Sequence, residues 1–435
     1  MFNRPFGRSW RGGARWVVAV EPDVREQQVD VAEPSAKRLI ALHNRRFLTF
    51  WIAITLALTG LWIRITVQGY LVYDLTDDAF LLGLAGFLSA LPVLVLSPIV
   101  GVVVDRFDRR TVLLVTQLFM AATMLTLAML DAFGVLRVEH ILILATLAGA
   151  ASAFDWPARL SIVPNLVRPH ELNNAVALNS ASFNTARIVG PVIGGVLVGV
   201  IGTAACFFLS AAAFLPSIVV LATLTIDRML PSGKRERPLS TLLSGYRYIW
   251  RFPTLRSLLS VDLVPVMFGM SFFALLPAIA RDVYGRGSGG LGLLYAADGV
   301  GAFLGVMLVA MMTGLRNRGR LVLLGVFFFA VLQIGFAAAP NLALGMALIL
   351  LLGFTASFYA TINDTLIMGM IEDDYRGRVM AVYSTFWGLT PIGYLQAGWI
   401  ASVWGSQIAI AVNGVIVLIY VLALARWSPG IRRLN

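Results

Sequence analysis

Residues 101–110 read GVVVDRFDRR, and this stretch decides the fold. Five of the six residues from 105 to 110 are charged, whereas 79–104 and 111–130 contain no charged residue. Apolar runs of about twenty residues are long enough to cross the hydrocarbon core of a bilayer as helices. The charged stretch is therefore predicted to be a turn between two membrane-spanning helices. Its three arginines, which favour the cytoplasmic face, are Arg106, Arg109 and Arg110.

The composition of the whole chain agrees with this prediction. Of 435 residues, 58% are hydrophobic and 13% are charged, and the mean hydropathy is +0.82. Soluble domains are about 45–50% apolar and about 25% charged. The excess apolar surface needs lipid, so we predict an all-α membrane protein. The net charge of +11 is interpreted as a topology signal and not as a nucleic-acid-binding surface, because the basic residues fall between the apolar segments.

The sequence offers little chemistry for an enzyme. Cys206 is its one cysteine, which excludes an intrachain disulfide and a cysteine metal cluster, and the three histidines are scattered. The chain has no G-x-x-x-x-G-K-[ST] loop, so ATP does not drive its function directly. We expect no catalytic residue, no cofactor and no metal.

Twelve apolar segments predict twelve transmembrane helices in two six-helix bundles. The first six segments are 47–74, 79–104, 111–131, 140–163, 175–201 and 203–226. The second six are 257–283, 289–314, 320–339, 341–366, 378–402 and 405–427. The remaining parts are polar or basic: an N-terminal tail (1–46), expected to be mostly disordered, a linker (227–256) and a C-terminal tail (428–435). The predicted bundles are therefore 47–226 and 257–427.

The distribution of lysine and arginine predicts the orientation. With both termini in the cytoplasm, 29 of the 34 basic residues lie in cytoplasmic segments. Cytoplasmic loops of membrane proteins carry this excess. The outer loops hold Arg137, Arg281 and Arg286 only, and Arg64 and Arg187 fall inside helices. We expect a plasma (inner) membrane protein with both termini in the cytoplasm.

The two halves of the chain are similar in sequence and orientation. GRLVLL at 319–324 corresponds to RRTVLL at 109–114. Such parallel repeats are typical of six-plus-six transporters, which bind substrate between the halves near mid-membrane.

The 101–110 turn resembles the G-x-L-A-D-R-x-G-R-[RK] signature between the second and third helices of the major facilitator superfamily. The matching residues are Gly101, Asp105, Arg106, Arg109 and Arg110; Asp108 stands where many members have glycine. The resemblance implies a cytoplasmic latch that breaks during each transport cycle.

Residues 186–195, ARIVGPVIGG, resemble the G-P-x-x-G-G motif in the fifth helix of the antiporters of this superfamily. Pro191 removes a helical hydrogen bond and is expected to bend the helix. Gly190, Gly194 and Gly195 allow close packing against that bend. In the family this motif, which here also contains Arg187, accompanies export.

Two further stretches narrow the resemblance. FDWPAR at 154–159 and RGRVM at 376–380 are similar to the branch that contains the enterobactin exporter and macrolide efflux proteins. The resemblance covers 45–427 and leaves the N-terminal tail out.

Charged residues at membrane depth need a reason, because each costs a few kcal/mol there. The candidates for proton coupling, in order, are Asp364, Asp298 and Asp155. Asp155 is expected to pair with Arg159 or with Arg187, which lies about 18 Å into the fifth segment at ~1.5 Å per residue.

Two other charges are interpreted differently: Asp262 as interfacial, and Arg64 as snorkelling outward.

A cavity for amphiphilic compounds needs aromatic walls and a few hydrogen-bonding groups. The candidate substrate contacts are Gln68, Asn179, Asn184, Tyr359, Asn363, Trp387 and Tyr394.

These features together predict a monomeric secondary transporter in the lipid bilayer. It would export a small amphiphilic molecule, such as a siderophore, an antibiotic or another drug-like compound, in exchange for protons by alternating access. An importer or lipid flippase of the same fold is the alternative. A membrane scaffold that has lost transport is a third possibility, and the intramembrane charges argue against it.

Overall fold

The computed structural model describes residues 40–224, 238–312, 316–432 and 434, apart from the side chains of a few helical positions. The predicted disordered tail lies in 1–39, outside the described residues. Residues 40–46 of that predicted tail are ordered: the Ala41 amide donates to Asn174 Oδ1 at 3.1 Å. The bundle therefore begins some residues earlier than the hydropathy pattern suggests.

The described residues form helices and connecting turns, with no strand among them. The first half contains α1 (Arg45–Thr76), α2 (Ala79–Arg106), α3 (Arg109–Ala132), α4 (Val138–Leu166), α5 (Leu172–Ala212) and α6 (Leu215–Thr223). The second half contains α7 (Pro238–Arg251), α8 (Pro253–Val264), α9 (Phe272–Ala278), α10 (Gly287–Met311), α11 (Arg318–Ala337), α12 (Leu342–Met370), α13 (Asp373–Trp387), α14 (Thr390–Trp404), α15 (Ser406–Trp427) and α16 (Pro429–Arg432).

Ten stretches of helix among the described residues are long and apolar enough to cross a membrane. One of them, Pro169–Thr223, holds two spans, because Gly202 breaks the helix with φ +81°. The short helices α13 and α14, with 15 residues each, add one more span interrupted at Gly388. The total is twelve, and the predicted all-α fold class is confirmed.

Two prolines explain why the span Pro253–Val283, which begins with α8, is not a regular α-helix. Pro265 and Pro277 lack an amide hydrogen and cannot complete the regular helical ladder. Two π-helical turns, Pro265–Gly269 and Ile279–Val283, lie at or just after these prolines. Wider turns of this kind absorb the missing hydrogen bonds without ending the span.

The helices turn at two ends of the molecule, which we name after one residue at each. The Asp77 face holds the turns at 77–78, 133–137, 202, 284–286, 338–341 and 405. The Phe107 face holds the turns at 107–108, 167–171, 316–317, 371–372 and 428.

The two halves of the chain contact each other in the part of the molecule near the Asp77 face. A Cβ added to Gly195 on α5 would lie 2.4 Å from the Cα of Gly292 on α10. A Cβ on Gly83 of α2 would lie 2.8 Å from the Cα of Gly398 on α14. Only glycine permits these backbone distances, so both contacts depend on the absence of a side chain.

Candidate transport site

Two carboxylates and one phenol meet inside the second half. The Tyr383 hydroxyl on α13 lies 2.7 Å from Asp262 Oδ2 on α8 and 3.0 Å from Asp364 Oδ1 on α12. Asn363 Nδ2 donates to the same Asp262 oxygen at 2.6 Å and to the Leu258 carbonyl at 3.1 Å. We call Asp262, Asn363, Asp364 and Tyr383 the acid–tyrosine cluster.

The cluster joins a buried acid to an exposed one. Asp262 is 4% exposed and Asn363 is fully buried, whereas Asp364 is exposed. Asp364 lies six residues before the end of α12 at the Phe107 face, about 9 Å along the helix. The cluster therefore sits in the half of the molecule opposite the glycine contacts.

The interpretation of Asp262 as interfacial was wrong. The span begins at Pro253 and not near 257, so Asp262 lies about 13 Å into the helix. It is buried because α12 and α13 supply hydrogen-bond donors to it. Sequence analysis also missed Tyr383, although a tyrosine at the same helical depth as two intramembrane acids was a usable signal.

A second acid lies on a helix that packs against the other half of the chain. Asp298 on α10 is buried and interacts electrostatically with Arg187 on α5. Gly353 on α12 makes room for it, because a Cβ there would lie 2.9 Å from Asp298 Oδ1. Arg187 is half-buried, and its Nε has no hydrogen-bond partner among the described residues. These two opposite charges therefore lie on helices of opposite halves, α5 and α10, which pack against each other.

A third acid lies in the core of the first half. Asp155 forms a buried ion pair with Arg159 one turn along α4, one of the two partners expected. Gln117 on α3 donates to Asp155 Oδ1 at 2.6 Å and accepts from Ser217 on α6 at 2.7 Å. The pair lines a void of about 10 Å³, about the size of one water molecule. This network ties three helices of one bundle together.

The prediction that Arg64 snorkels outward was wrong. Arg64 is 5% exposed and donates to Gln68 Oε1, which is equally buried. Its Nε has no partner within the described part of the chain. The side chain stays inside because Gln68, one turn further along α1, supplies an acceptor at the same depth.

A polar clasp closes the Asp77 face. The Tyr73 hydroxyl at the end of α1 donates to Asp282, and Arg281 forms an ion pair with Asp77. The Arg281 guanidinium also donates to the Tyr73 carbonyl at 3.2 Å and lies 5.1 Å from the centre of the Tyr73 ring. We call Tyr73, Asp77, Arg281 and Asp282 the Asp77-face clasp, since they join the two halves there.

The side chain of Asp105 and the surroundings of Gly101 lie outside the described part of the structure, and Arg106 is exposed. Arg109 Nη1 donates to the Ser161 carbonyl at 3.2 Å, and Arg110 donates to the carbonyls of Leu221 and Ala222 at the end of α6. Asp108 caps α3 by accepting from the Thr111 amide at 3.0 Å. In this conformation the described part of the 101–110 turn binds within its own half.

Gly190 and Gly194 bring α5 close to α1. A Cβ on Gly190 would lie 2.5 Å from Trp62 Cβ, and one on Gly194 would lie 3.3 Å from the Ile63 carbonyl, both on α1. Pro191 is buried inside α5, which continues as a helix past it.

The predicted substrate contacts occupy different environments. Asn179, Tyr359 and Asn363 are buried, and the Tyr359 ring meets the Phe329 ring edge-on at 6.1 Å. Asn184 is exposed and donates to the Ser180 carbonyl at 2.9 Å within α5. Tyr394 packs against Gly86 of the other half. The remaining two are Gln68, which binds Arg64, and Trp387, whose side chain lies outside the described residues.

Twelve helical spans in two halves, with charged residues buried at membrane depth, define a secondary transporter of the major facilitator type. The chain belongs to the family of transmembrane secretion effectors in the major facilitator superfamily, which it matches over residues 36–429. It is therefore a multi-pass membrane transporter and not an enzyme.

Curated relatives are efflux-type and siderophore transporters. The staphyloferrin A transporter of Staphylococcus aureus is 23% identical, over 82% of this chain and 89% of that protein. The multidrug efflux pump Tap of Mycolicibacterium fortuitum is 28% identical, over 82% and 88%. The enterobactin exporter EntS of Shigella boydii is 25% identical, over 88% and 92%. The resemblance to the enterobactin exporter branch is confirmed.

Among solved structures, a bacterial homolog of the human lysosomal transporter Spinster, in an inward-facing and unoccupied conformation, has the same fold. The TM-score is 0.72 with 14% identity, covering 89% of this chain and 97% of that one. At this identity the likeness shows the fold alone.

Proposed function

We propose that this protein exports a small amphiphilic molecule in exchange for protons, with the acid–tyrosine cluster as the proton site. The relatives named as exporter and efflux pump support the direction of transport. The siderophore and multidrug names among them support a siderophore, antibiotic or other drug-like cargo.

Hydrogen-bond counting at the cluster carries the proton assignment. A phenol has one proton to donate, yet the Tyr383 oxygen lies within hydrogen-bond distance of two carboxylates. If both acids were ionised, one carboxylate oxygen would face the phenol lone pairs. If Asp364 holds a proton, it donates to Tyr383, and Tyr383 donates to Asp262. The arrangement is therefore satisfied when the two acids share one proton.

The position of the cluster supports alternating access. The halves touch near the Asp77 face, through the glycine contacts and the Asp77-face clasp. Asp364 is exposed in the opposite half of the molecule, near the Phe107 face. With the Phe107 face in the cytoplasm, as the arginine distribution predicts, this conformation would admit cargo from inside. Parting of the Asp77-face contacts would then release it outside.

The remaining assignments follow from this arrangement. We place the protein in the plasma membrane as a monomer with both termini in the cytoplasm. The 101–110 turn is the latch that would close the Phe107 face in the next state. Asp298 with Arg187 is a second candidate for coupling, since the pair joins helices of opposite halves. Asp155 is less suited, because Arg159 already neutralises it.

The test uses inside-out membrane vesicles with an acidic interior and three probes: a catecholate siderophore, a macrolide and a fluorescent lipophilic dye. We expect the wild-type protein to accumulate at least one probe in response to the pH gradient. Asp262→Asn should lose this accumulation but keep exchange of preloaded probe, since exchange needs no net proton movement. Glu139→Gln, which removes an exposed carboxyl elsewhere, is the control.

Three results would count against the proposal. Gradient-driven accumulation that is unchanged in Asp262→Asn would remove the cluster from proton coupling. Probe leaving the vesicles in response to the same gradient would indicate an importer, and movement of a labelled phospholipid alone would indicate a flippase.

A further inference from the structure

The helix α7, within the polar linker between the two halves, has one face packed on the protein. Gly245, Tyr248 and Ile249 are buried on this face. A Cβ on Gly245 would lie 2.5 Å from the Arg378 carbonyl of α13. The Tyr248 ring stacks on the Tyr375 ring of α13, with centroids 4.5 Å apart. This face fixes α7 against the end of α13 at the Phe107 face.

The opposite face of α7 exposes apolar and basic side chains side by side. Leu243, Tyr246 and Trp250, at spacings of three and four residues, are 60%, 42% and 66% exposed. Arg247 and Arg251 are also exposed and follow Leu243 at intervals of four residues, so they form the adjacent stripe. An apolar stripe with tryptophan beside a row of arginines is the pattern of a helix lying in a membrane interface.

α7 lies directly before a membrane span. α7 ends at Arg251, and the membrane span that begins with α8 starts at Pro253. Arg256 on the first turns of that span lies 4.9 Å from the centre of the Trp250 ring. The exposed face is therefore continuous with the surface that meets the bilayer, and Trp250 lies where membrane proteins concentrate aromatic residues.

The charge of this region favours anionic lipid. Residues 227–256 contain seven basic residues and two acidic ones. Basic segments next to a membrane span bind anionic headgroups, whereas zwitterionic lipids offer them no net attraction.

We propose that α7 is a docking helix for anionic phospholipid, with Arg247, Arg251 and Arg256 at the headgroup phosphates and with Leu243 and Trp250 at the boundary of the acyl chains. The lipid would hold α7 in place against α13. Since α13 also carries Tyr383, bound lipid would steady the helix on which the acid–tyrosine cluster depends. The docking itself does not rest on the proposed transport function.

The experiment measures lipid binding directly on the full-length protein. Purified wild-type protein and Arg247→Gln/Arg251→Gln are placed in nanodiscs of phosphatidylcholine, with or without phosphatidylglycerol, and the retained phosphatidylglycerol is measured by native mass spectrometry. Each arginine near an anionic surface contributes about fivefold at low salt, so the double variant should bind about 25-fold more weakly. The control, Arg137→Gln/Arg286→Gln, removes two exposed arginines at the Asp77 face and should retain the lipid.

A second measurement locates the apolar stripe. In a Cys206→Ser background, Leu243→Cys carries an environment-sensitive fluorophore. We expect a blue shift when phosphatidylglycerol is present and its loss in Arg247→Gln/Arg251→Gln. Equal lipid retention by both double variants, or a fluorophore spectrum unchanged by phosphatidylglycerol, would overturn the proposal.

Discussion

The hydroxyl of Tyr383 on α13 lies 2.7 Å from Asp262 Oδ2 on α8, although the two residues are 121 positions apart in the chain. The same hydroxyl lies 3.0 Å from Asp364. One phenol thus connects an acid buried in the protein with an exposed acid that lies near the Phe107 end of α12. This relationship is the basis of the first prediction.

Tyr383→Phe is expected to slow gradient-driven transport by roughly tenfold or more, because a hydrogen bond to a charged group is worth about 1.5–3 kcal/mol. Among the described residues, Asp262 would keep one hydrogen bond, from Asn363. The measurement is initial probe uptake into acidic inside-out vesicles. Tyr420→Phe is the matched control. Tyr420 lies in the same half of the chain, and its hydroxyl donates a hydrogen bond of 2.8 Å to the Ser260 carbonyl and not to an acid. Equal rates for the two variants would contradict the bridging role.

Asp155→Ala is expected to destabilise the protein by about 3–5 kcal/mol, because it leaves the Arg159 charge buried without its partner. Replacing both residues by apolar ones, Asp155→Ala/Arg159→Met, should recover most of the lost stability. Cys206 reports unfolding, since it is fully buried and is the chain's one thiol. The measurement is the temperature at which a thiol-reactive dye labels it. A double variant as unstable as Asp155→Ala would argue against the charge as the cause.

Gly195→Ala is expected to part the two halves at the Asp77 face, because its Cβ would lie 2.4 Å from the Gly292 Cα. Gly199→Ala, one turn further along α5, meets only the Ser288 hydroxyl at 3.6 Å and serves as the control. Spin labels at Val135→Cys and Ala338→Cys, both exposed at this face, measure the separation in a Cys206→Ser background. The label distance should increase in Gly195→Ala alone.

Arg281→Gln is expected to shift the same distance only slightly. Its ion pair with Asp77 is largely exposed, and such pairs contribute about 0.2–1 kcal/mol, so the open population should rise at most about fivefold. High salt should mimic this effect in the wild-type protein because it screens the same pair. The control is Arg286→Gln, an exposed arginine of the same turn. A change as large as that of Gly195→Ala would mean that the clasp, and not the glycine contact, holds this face closed.

One ion pair within a helix could be predicted from sequence, and the contacts between helices could not. The Asp155–Arg159 pair was expected because residues four apart lie on the same side of a helix. The pairing of Asp262 with Tyr383 depends on how far α8 and α13 slide and rotate against each other. The hydropathy pattern does not determine the relative shift or rotation of two packed helices. The burial of Arg64 was missed for a related reason, since the apolar pattern of α1 does not show which side faces lipid.

Sequence alone was sufficient to predict that the chain crosses a membrane twelve times and repeats its pattern in two halves. Hydrophobicity and the placement of arginine act on each segment separately, so the order of residues is sufficient for them. The three-dimensional structure was needed to find which acids share a phenol, which glycines bring the two halves together, and that α7 leaves an apolar and basic face exposed. These features depend on packing between distant helices. Many registers bury the same apolar area, and the polar and glycine contacts select one of them.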